Sequence, residues 1–165
     1  MINKLKAAFP QIEIDCLTTI NDKHTFIFEA EKAVFVTAKD KFHLHIENKM
    51  NTEYYFIQNE NCVMKTVKGG QCDYVICNNH SVHFTEIKVA KGNNANHRKD
   101  AYNQLENTFK YYSNLIDFTS IENLNALVCF PRPRRIVRAS ASTKRKEFKV
   151  KYNLDLQESN YISFE

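Results

Sequence analysis

The stretch Cys72–Lys88, CDYVICNNHSVHFTEIK, decides how this chain is read. Two apolar runs, rich in β-branched and aromatic residues, flank the polar tetrad Asn78–Ser81, which is the pattern of two strands joined by a turn. Asp73 stands near the start of the first run, and Glu86 and Lys88 near the end of the second. Alternate residues of a strand face the same way, so Glu86 and Lys88 share a face while Ile87 points into the packing. If the runs pair as a hairpin, Asp73 approaches Glu86 across them. Two carboxylates converging at a sheet rim repel each other unless a positive charge compensates. A hard divalent cation such as Mg²⁺ does so through oxygen ligands, and the Lys88 ammonium adds a second positive charge. That combination suits phosphodiester hydrolysis: the ion polarises the phosphate and helps generate hydroxide, while the lysine orients water or offsets developing charge.

The Glu-x-Lys triplet is weak evidence by itself, because the chain holds three: Glu47-Asn48-Lys49, Glu86-Ile87-Lys88 and Glu147-Phe148-Lys149. Only the second ends an apolar strand with an aspartate at hairpin distance before it. Asp40 precedes the first, but in a lysine-rich turn, and the third sits in a basic segment with no nearby upstream acid.

Working outward, Gly69-Gly70 is the only double glycine and marks a sharp turn into the first run. Before it, Lys4–Phe9 reads as a short helix stopped by Pro10. Ile12, Ile14 and Cys16 alternate with acids as in a half-buried strand. Thr25–Phe28, Ala33–Thr37, Phe42–Ile46 and Glu53–Ile57 read as further strands, and Cys62–Val67 as a resumed one. His43 and His45 project from one face of their strand, either as a metal pair or as a solvated face. After Lys88, Ala101, Leu105, Phe109, Tyr112 and Ile116 recur at helical steps, predicting an amphipathic helix from His97 to Asp117. Asn125–Phe130 reads as a buried strand ended by prolines, and Phe148–Leu156 as strand-like alternation.

The chain of 165 residues, 43% hydrophobic and 25% charged, is most simply one globular domain. Its core spans about residues 53–130, with a β-rich N-terminal extension (1–52) and a basic C-terminal segment (131–165). No apolar run reaches membrane-spanning length, and the N-terminus lacks a secretory apolar core, so the expected location is cytoplasmic with no membrane partner. The five cysteines are scattered without a CxxC pair, which predicts buried thiols and neither a zinc ribbon nor a disulfide framework. Net charge is +4, but Pro131–Lys151 holds nine basic residues against Glu147 alone, so the basic character is local. Arg132, Arg134, Arg135, Arg138, Lys144, Arg145 and Lys146 are therefore expected to meet a polyanion such as nucleic acid. Arg98 and Lys99 begin the long helix, where backbone N–H groups favour phosphate. His80 and His83 read as turn and strand surface.

The order Asp73 on one strand, Glu86-Ile87-Lys88 on the next, then helix, then strand, resembles the PD-(D/E)XK nuclease superfamily, which includes restriction enzymes, Holliday-junction resolvases and RecB-like nucleases. The resemblance covers roughly Gly69 to Phe130. It implies a restriction-endonuclease-like α/β core, a mixed central sheet flanked by helices, here extended by the N-terminal strands. It implies one or two Mg²⁺ or Mn²⁺ ions held by Asp73, Glu86 and the Ile87 backbone carbonyl. Gln104, followed by Leu105, matches the glutamine that the RecB-like branch carries on the next helix, and would orient Lys88 or the substrate. Cys72 replaces the family's proline. Thr108, with Tyr111 and Tyr112 a turn later, stands where that branch carries a tyrosine. The family core opens with a helix that often bears another acid, and Glu60 is the candidate for it. The implied activity is metal-dependent nucleic-acid hydrolysis, DNA before RNA, in restriction, anti-phage defence or DNA processing, with a homodimer or a partner protein where both strands are cut. The rival readings are an RNA-cleaving toxin or effector on the same scaffold and a non-catalytic nucleic-acid-binding or assembly subunit.

Overall fold

In the computed structural model, which describes residues 1–30, 32–89, 94–130 and 139–165, the stretch around Asp73 folds as an antiparallel hairpin of β6 (Tyr74–Cys77) and β7 (Ser81–Ile87). Every residue of both strands is buried, so each face of their sheet needs a cover. β5 (Tyr54–Gln58) pairs antiparallel with β6, and β1 (Leu17–Ile20) pairs antiparallel with β5. On the other side β8 (Asn123–Cys129) runs parallel to β7, and β9 (Asp155–Glu158) parallel to β8. The six-stranded order is β1-β5-β6-β7-β8-β9. Parallel neighbours need long crossovers, here containing α2 (Asn94–Ser113) between β7 and β8 and α3 (Ala139–Tyr152) between β8 and β9. The fold is thus α/β with a mixed sheet, as expected.

The helices cover one face of that sheet. From α2, Ala101, Leu105, Phe109 and Tyr112 pack on Val75, Cys77, Val82, Phe84, Ala126 and Val128. Leu5 of α1 (Ile2–Ala8) and Phe148 of α3 join the same core, and the Phe9 ring stacks on Tyr111. Each such large side chain contributes about 1.5–3 kcal/mol by leaving water. The opposite face is covered by a second sheet, not by helices. Its order is β10-β4-β2-β3, built from β2 (His24–Glu29), β3 (Ala33–Val36), β4 (Leu44–Asn48) and the C-terminal β10 (Tyr161–Phe164). Ile27, Leu44, Ile46, Ile162 and Phe164 pack there on Tyr54, Phe56, Tyr74, Ile76 and Leu127. Only β1 of the N-terminal strands extends the main sheet. The rest form this covering layer, closed by parallel pairing of β10 with β4. Among the described residues, no helix is long and apolar enough to cross a membrane.

Four local expectations are corrected. Ile12–Cys16 is not a strand: Pro10–Glu13 is a 3₁₀ helix begun by Pro10, and the chain turns at Asp15 with φ 64. Asn59–Val63 is a π-helical turn, so no strand resumes at Cys62. Phe148 lies inside α3, and the strand-like alternation after it is helix to Tyr152. Finally, Cys16 and Cys62 form a disulfide across 46 positions, while Cys72, Cys77 and Cys129 are buried free thiols as expected. Two cysteines on irregular segments gave no spacing signal for that bridge.

Candidate active site

The β6–β7 register pairs Tyr74 with Thr85, which sets Asp73 and Glu86 opposite each other one step further on. Backbone N–H groups hold both carboxylates. Asp73 N–H donates to Glu86 Oε2 at 3.2 Å, and Ile87 N–H donates to Asp73 Oδ2 at 2.7 Å. The Lys88 ammonium lies 2.6 Å from Glu86 Oε1 and donates to Gln104 Oε1 at 2.6 Å. Gln104 Nε2 in turn donates to the Gln71 carbonyl at 3.1 Å. Asp73, Glu86, Lys88 and Gln104, read from four places in the sequence, therefore stand in one hydrogen-bonded chain on the helix side of the sheet.

The approach of α2 depends on the glycine pair. Gly69 has φ +103, in the left-handed region that favours glycine. A Cβ on Gly70 would stand 2.8 Å from Gln104 Cγ. Further along α2, Thr108 Oγ1 accepts from Cys72 N–H at 2.9 Å, and Tyr112 donates to Asn59 Oδ1 at 3.0 Å. Fully buried Asn59 donates through its side chain to the Cys72 carbonyl at 2.7 Å and through its backbone to the Asp73 carbonyl at 2.8 Å. Helix and π-turn thus clamp the segment that carries Asp73.

The electrostatics are those of too much negative charge in too little water. Burial raises the Asp73 carboxyl well above the usual carboxylate range, and the nearby Glu86 charge adds to it, with smaller contributions from Glu29 and Glu60. Burial also raises Glu86, against the pull of Lys88. A pocket of about 160 Å³ opens beside Asp73, lined among others by Glu29, Gln58, Glu60 and Tyr74. Glu60 sits on the π-turn and not on a regular helix. Glu29, at the end of β2, accepts a hydrogen bond from the Tyr74 hydroxyl, and burial raises its carboxyl too. Nothing local in the sequence pointed to Glu29, whose partner is 45 residues away.

The donor set is oxygen-only, which fits Mg²⁺ or Mn²⁺ better than softer ions. Two adjacent carboxylates, Glu86 buried and Asp73 partly so, that share the single Lys88 ammonium are the observation that favours a further cation here. Asp73, Glu86 and the Ile87 carbonyl are the candidate ligands, with Glu60 beside them. Among the described residues, no three His, Cys, Asp or Glu side chains stand as a ready cage.

The expected polyanion surface is less free than its composition implied. Arg98 is held by Glu158, with Nε–Oε1 at 2.5 Å and Nη2–Oε2 at 3.0 Å, and lies over the Phe130 ring. Lys144 pairs with Glu147 at 2.7 Å, Lys149 with Asp155 at 3.0 Å and Lys151 with Glu106 at 3.3 Å. Arg145 is half-buried, and its charge acts on Glu158. Lys99 and Lys146 are exposed. Arg132, Arg134, Arg135 and Arg138 lie outside the described residues. His83 is buried and not on the surface, because β7 is covered on both faces. His43 does not pair with His45: it is buried, and its Nδ1 accepts the Glu29 N–H at 2.9 Å.

Comparison with family models, with curated proteins and with solved structures gives no match.

Proposed function

We propose that this protein is a metal-dependent nuclease of PD-(D/E)XK type that hydrolyses nucleic-acid phosphodiester bonds, DNA in preference to RNA. The observation that carries this reading is the chain Asp73–Glu86–Lys88–Gln104. It is set where three antiparallel strands meet a fourth that returns parallel after a helical crossover. From Gly69 to Phe130 the succession of strand, strand, helix and strand agrees with what the resemblance implies.

Asp73, Glu86 and the Ile87 carbonyl would hold Mg²⁺ or Mn²⁺, which would supply phosphate polarisation and an acidified water. The protein's own part is positional. Asp73 and Glu86 are held at a fixed separation by each other's backbone neighbours, so little reorganisation is needed at the moment of reaction. Gln104 accepts from Lys88 and keeps the ammonium at the rim, where it orients the attacking water or offsets charge on the phosphate. Of the described residues expected to meet a polyanion, Lys99 and Lys146 are exposed and available for backbone contacts.

The test is cleavage of duplex DNA and of tRNA side by side, with Mg²⁺ and with EDTA. DNA is cut with Mg²⁺ and spared in EDTA. Glu86→Gln and Lys88→Ala each lower the rate by at least about 10³-fold while the protein still folds and binds DNA. Full activity in either variant would sink the assignment. Preferential tRNA cleavage would move it to an RNA-cleaving effector, and EDTA-indifferent binding without cleavage to an assembly subunit.

A further inference from the structure

The outer face of the second sheet brings together two histidines that are far apart in sequence. In the β2–β4 register His24 lies opposite Glu47 and Phe26 opposite His45. His24 and His45 are therefore diagonal neighbours on the face away from Ile27 and Ile46, with Glu47 directly across from His24. Their ring nitrogens, His24 Nδ1 and His45 Nε2, are 3.2 Å apart. Zn–N bonds of about 2.0–2.1 Å in a tetrahedral shell place two imidazole nitrogens about 3.3 Å apart. The His45 ring is held by stacking on Phe26, centroids 4.4 Å apart, and by the edge of Tyr161 at 5.3 Å. Glu47 accepts a hydrogen bond from the Tyr161 hydroxyl, which keeps its carboxylate on this face.

We propose that His24, His45 and Glu47 bind one first-row transition-metal ion of the Zn²⁺ class, at a site separate from the Asp73–Glu86 centre. The histidines are the preset pair, and Glu47 completes the set by exchanging the Tyr161 hydroxyl for the ion. No three such side chains already close on one point among the described residues, so that exchange is required. Imidazole nitrogen selects Zn²⁺, Cu²⁺ or Ni²⁺ over Mg²⁺, which separates this site from an oxygen-only one by chemistry as well as by place. The ion would pin β2 to β4. The inference does not depend on the nuclease reading. An imidazole–imidazole hydrogen bond gives the same distance but predicts no metal affinity.

The experiment is Zn²⁺ titration calorimetry on untagged full-length protein, with Co²⁺ absorption as a report of nitrogen ligation, in the wild type and in Asp73→Asn. With Mg²⁺ in excess to occupy the oxygen-only centre, both bind one equivalent of Zn²⁺. Loss of even an outer partner of a ligand costs 10–100-fold in affinity, so His24→Gln and His45→Gln each weaken Zn²⁺ by at least about tenfold. Glu47→Gln weakens it less, and circular dichroism confirms that the variants remain folded. Three results overturn the proposal: no stoichiometric Zn²⁺ binding in the wild type, unchanged affinity in both histidine variants, or loss of binding in Asp73→Asn.

Discussion

Gly70 brings no functional group to the site, yet it controls the distance between the β6 entry and Gln104. A methyl group there would stand 2.8 Å from Gln104 Cγ, and Gln104 is the acceptor that holds Lys88. Gly70→Ala should therefore lower kcat for Mg²⁺-dependent cleavage by about 10- to 100-fold, with KM little changed, since a small misplacement of a catalytic group is costly. Combined with Gln104→Ala it should add nothing beyond Gln104→Ala alone, because both act through one contact. An additive loss in that double-mutant cycle would show that Gly70 matters for another reason. At this scale much of the site was legible. Asp73, Glu86 and Lys88 follow from strand parity and one hairpin, and Gln104 follows from the resemblance carried onto a helix whose stripe is plain. The supports were not. Tyr74 to Glu29 spans 45 positions and Cys72 to Thr108 spans 36, and no local pattern in either partner marks such a contact.

Elements with strong periodicity were found, and those whose apolar residues serve two periods were not. Phe148, Val150, Tyr152, Leu154 and Leu156 alternate like a strand, but Val150 is 88% exposed while Phe148 is fully buried. The Lys144–Glu147 pair at helical spacing was the better signal. Ile12–Cys16 alternates as well, yet Pro10 starts a 3₁₀ turn and Ile14 is 72% exposed. That turn and the π-turn bearing Glu60 are irregular elements, tied by the Cys16–Cys62 bridge. Closing a loop of 46 positions removes unfolded-state entropy worth about 4 kcal/mol in the chain-entropy model. The oxidised protein should therefore have a higher urea midpoint than the reduced one. Cys62→Ser should match the reduced wild type and ignore reductant. A midpoint indifferent to reductant in the wild type would mean that the bridge does not form in solution.

At the scale of the whole molecule a sheet lies between helices and a second sheet, and the carboxylates at its rim are enclosed by both layers: Asp73 and Glu86 on the helix side, and Glu29, bound by the Tyr74 hydroxyl, on the other. That layered burial has a consequence for stability against pH. Folding raises the affinity of Asp73, Glu86 and Glu29 for protons, in each case chiefly by burial. Above the unfolded carboxylate range near pH 4, the native state then binds more protons than the unfolded one, and stability falls as pH rises. His83 has the opposite sense: burial pushes its imidazole down to about 4. Its effect lies between there and about 6.5, where stability rises with pH by about 3 kcal/mol in total. Above about pH 7.5 His83, like the also lowered His43 and His45, is largely neutral in both states, so from about pH 7.5 to 8.5 the slope is set by the groups whose proton affinity burial raises, the carboxylates and the free thiols, at most about 1.4 kcal/mol per pH unit for each proton. In EDTA, the melting temperature should decline across that window. Asp73→Asn should flatten the decline and raise the melting temperature at pH 8, since it removes one of two repelling charges. Mg²⁺ should flatten it in the wild type and do little in Asp73→Asn, because an ion that binds only the native state stabilises it in proportion to its affinity. A wild-type melting temperature constant from pH 7.5 to 8.5 in EDTA would show that the pair is already neutralised, and with it the physical reason for a cation at this rim would disappear.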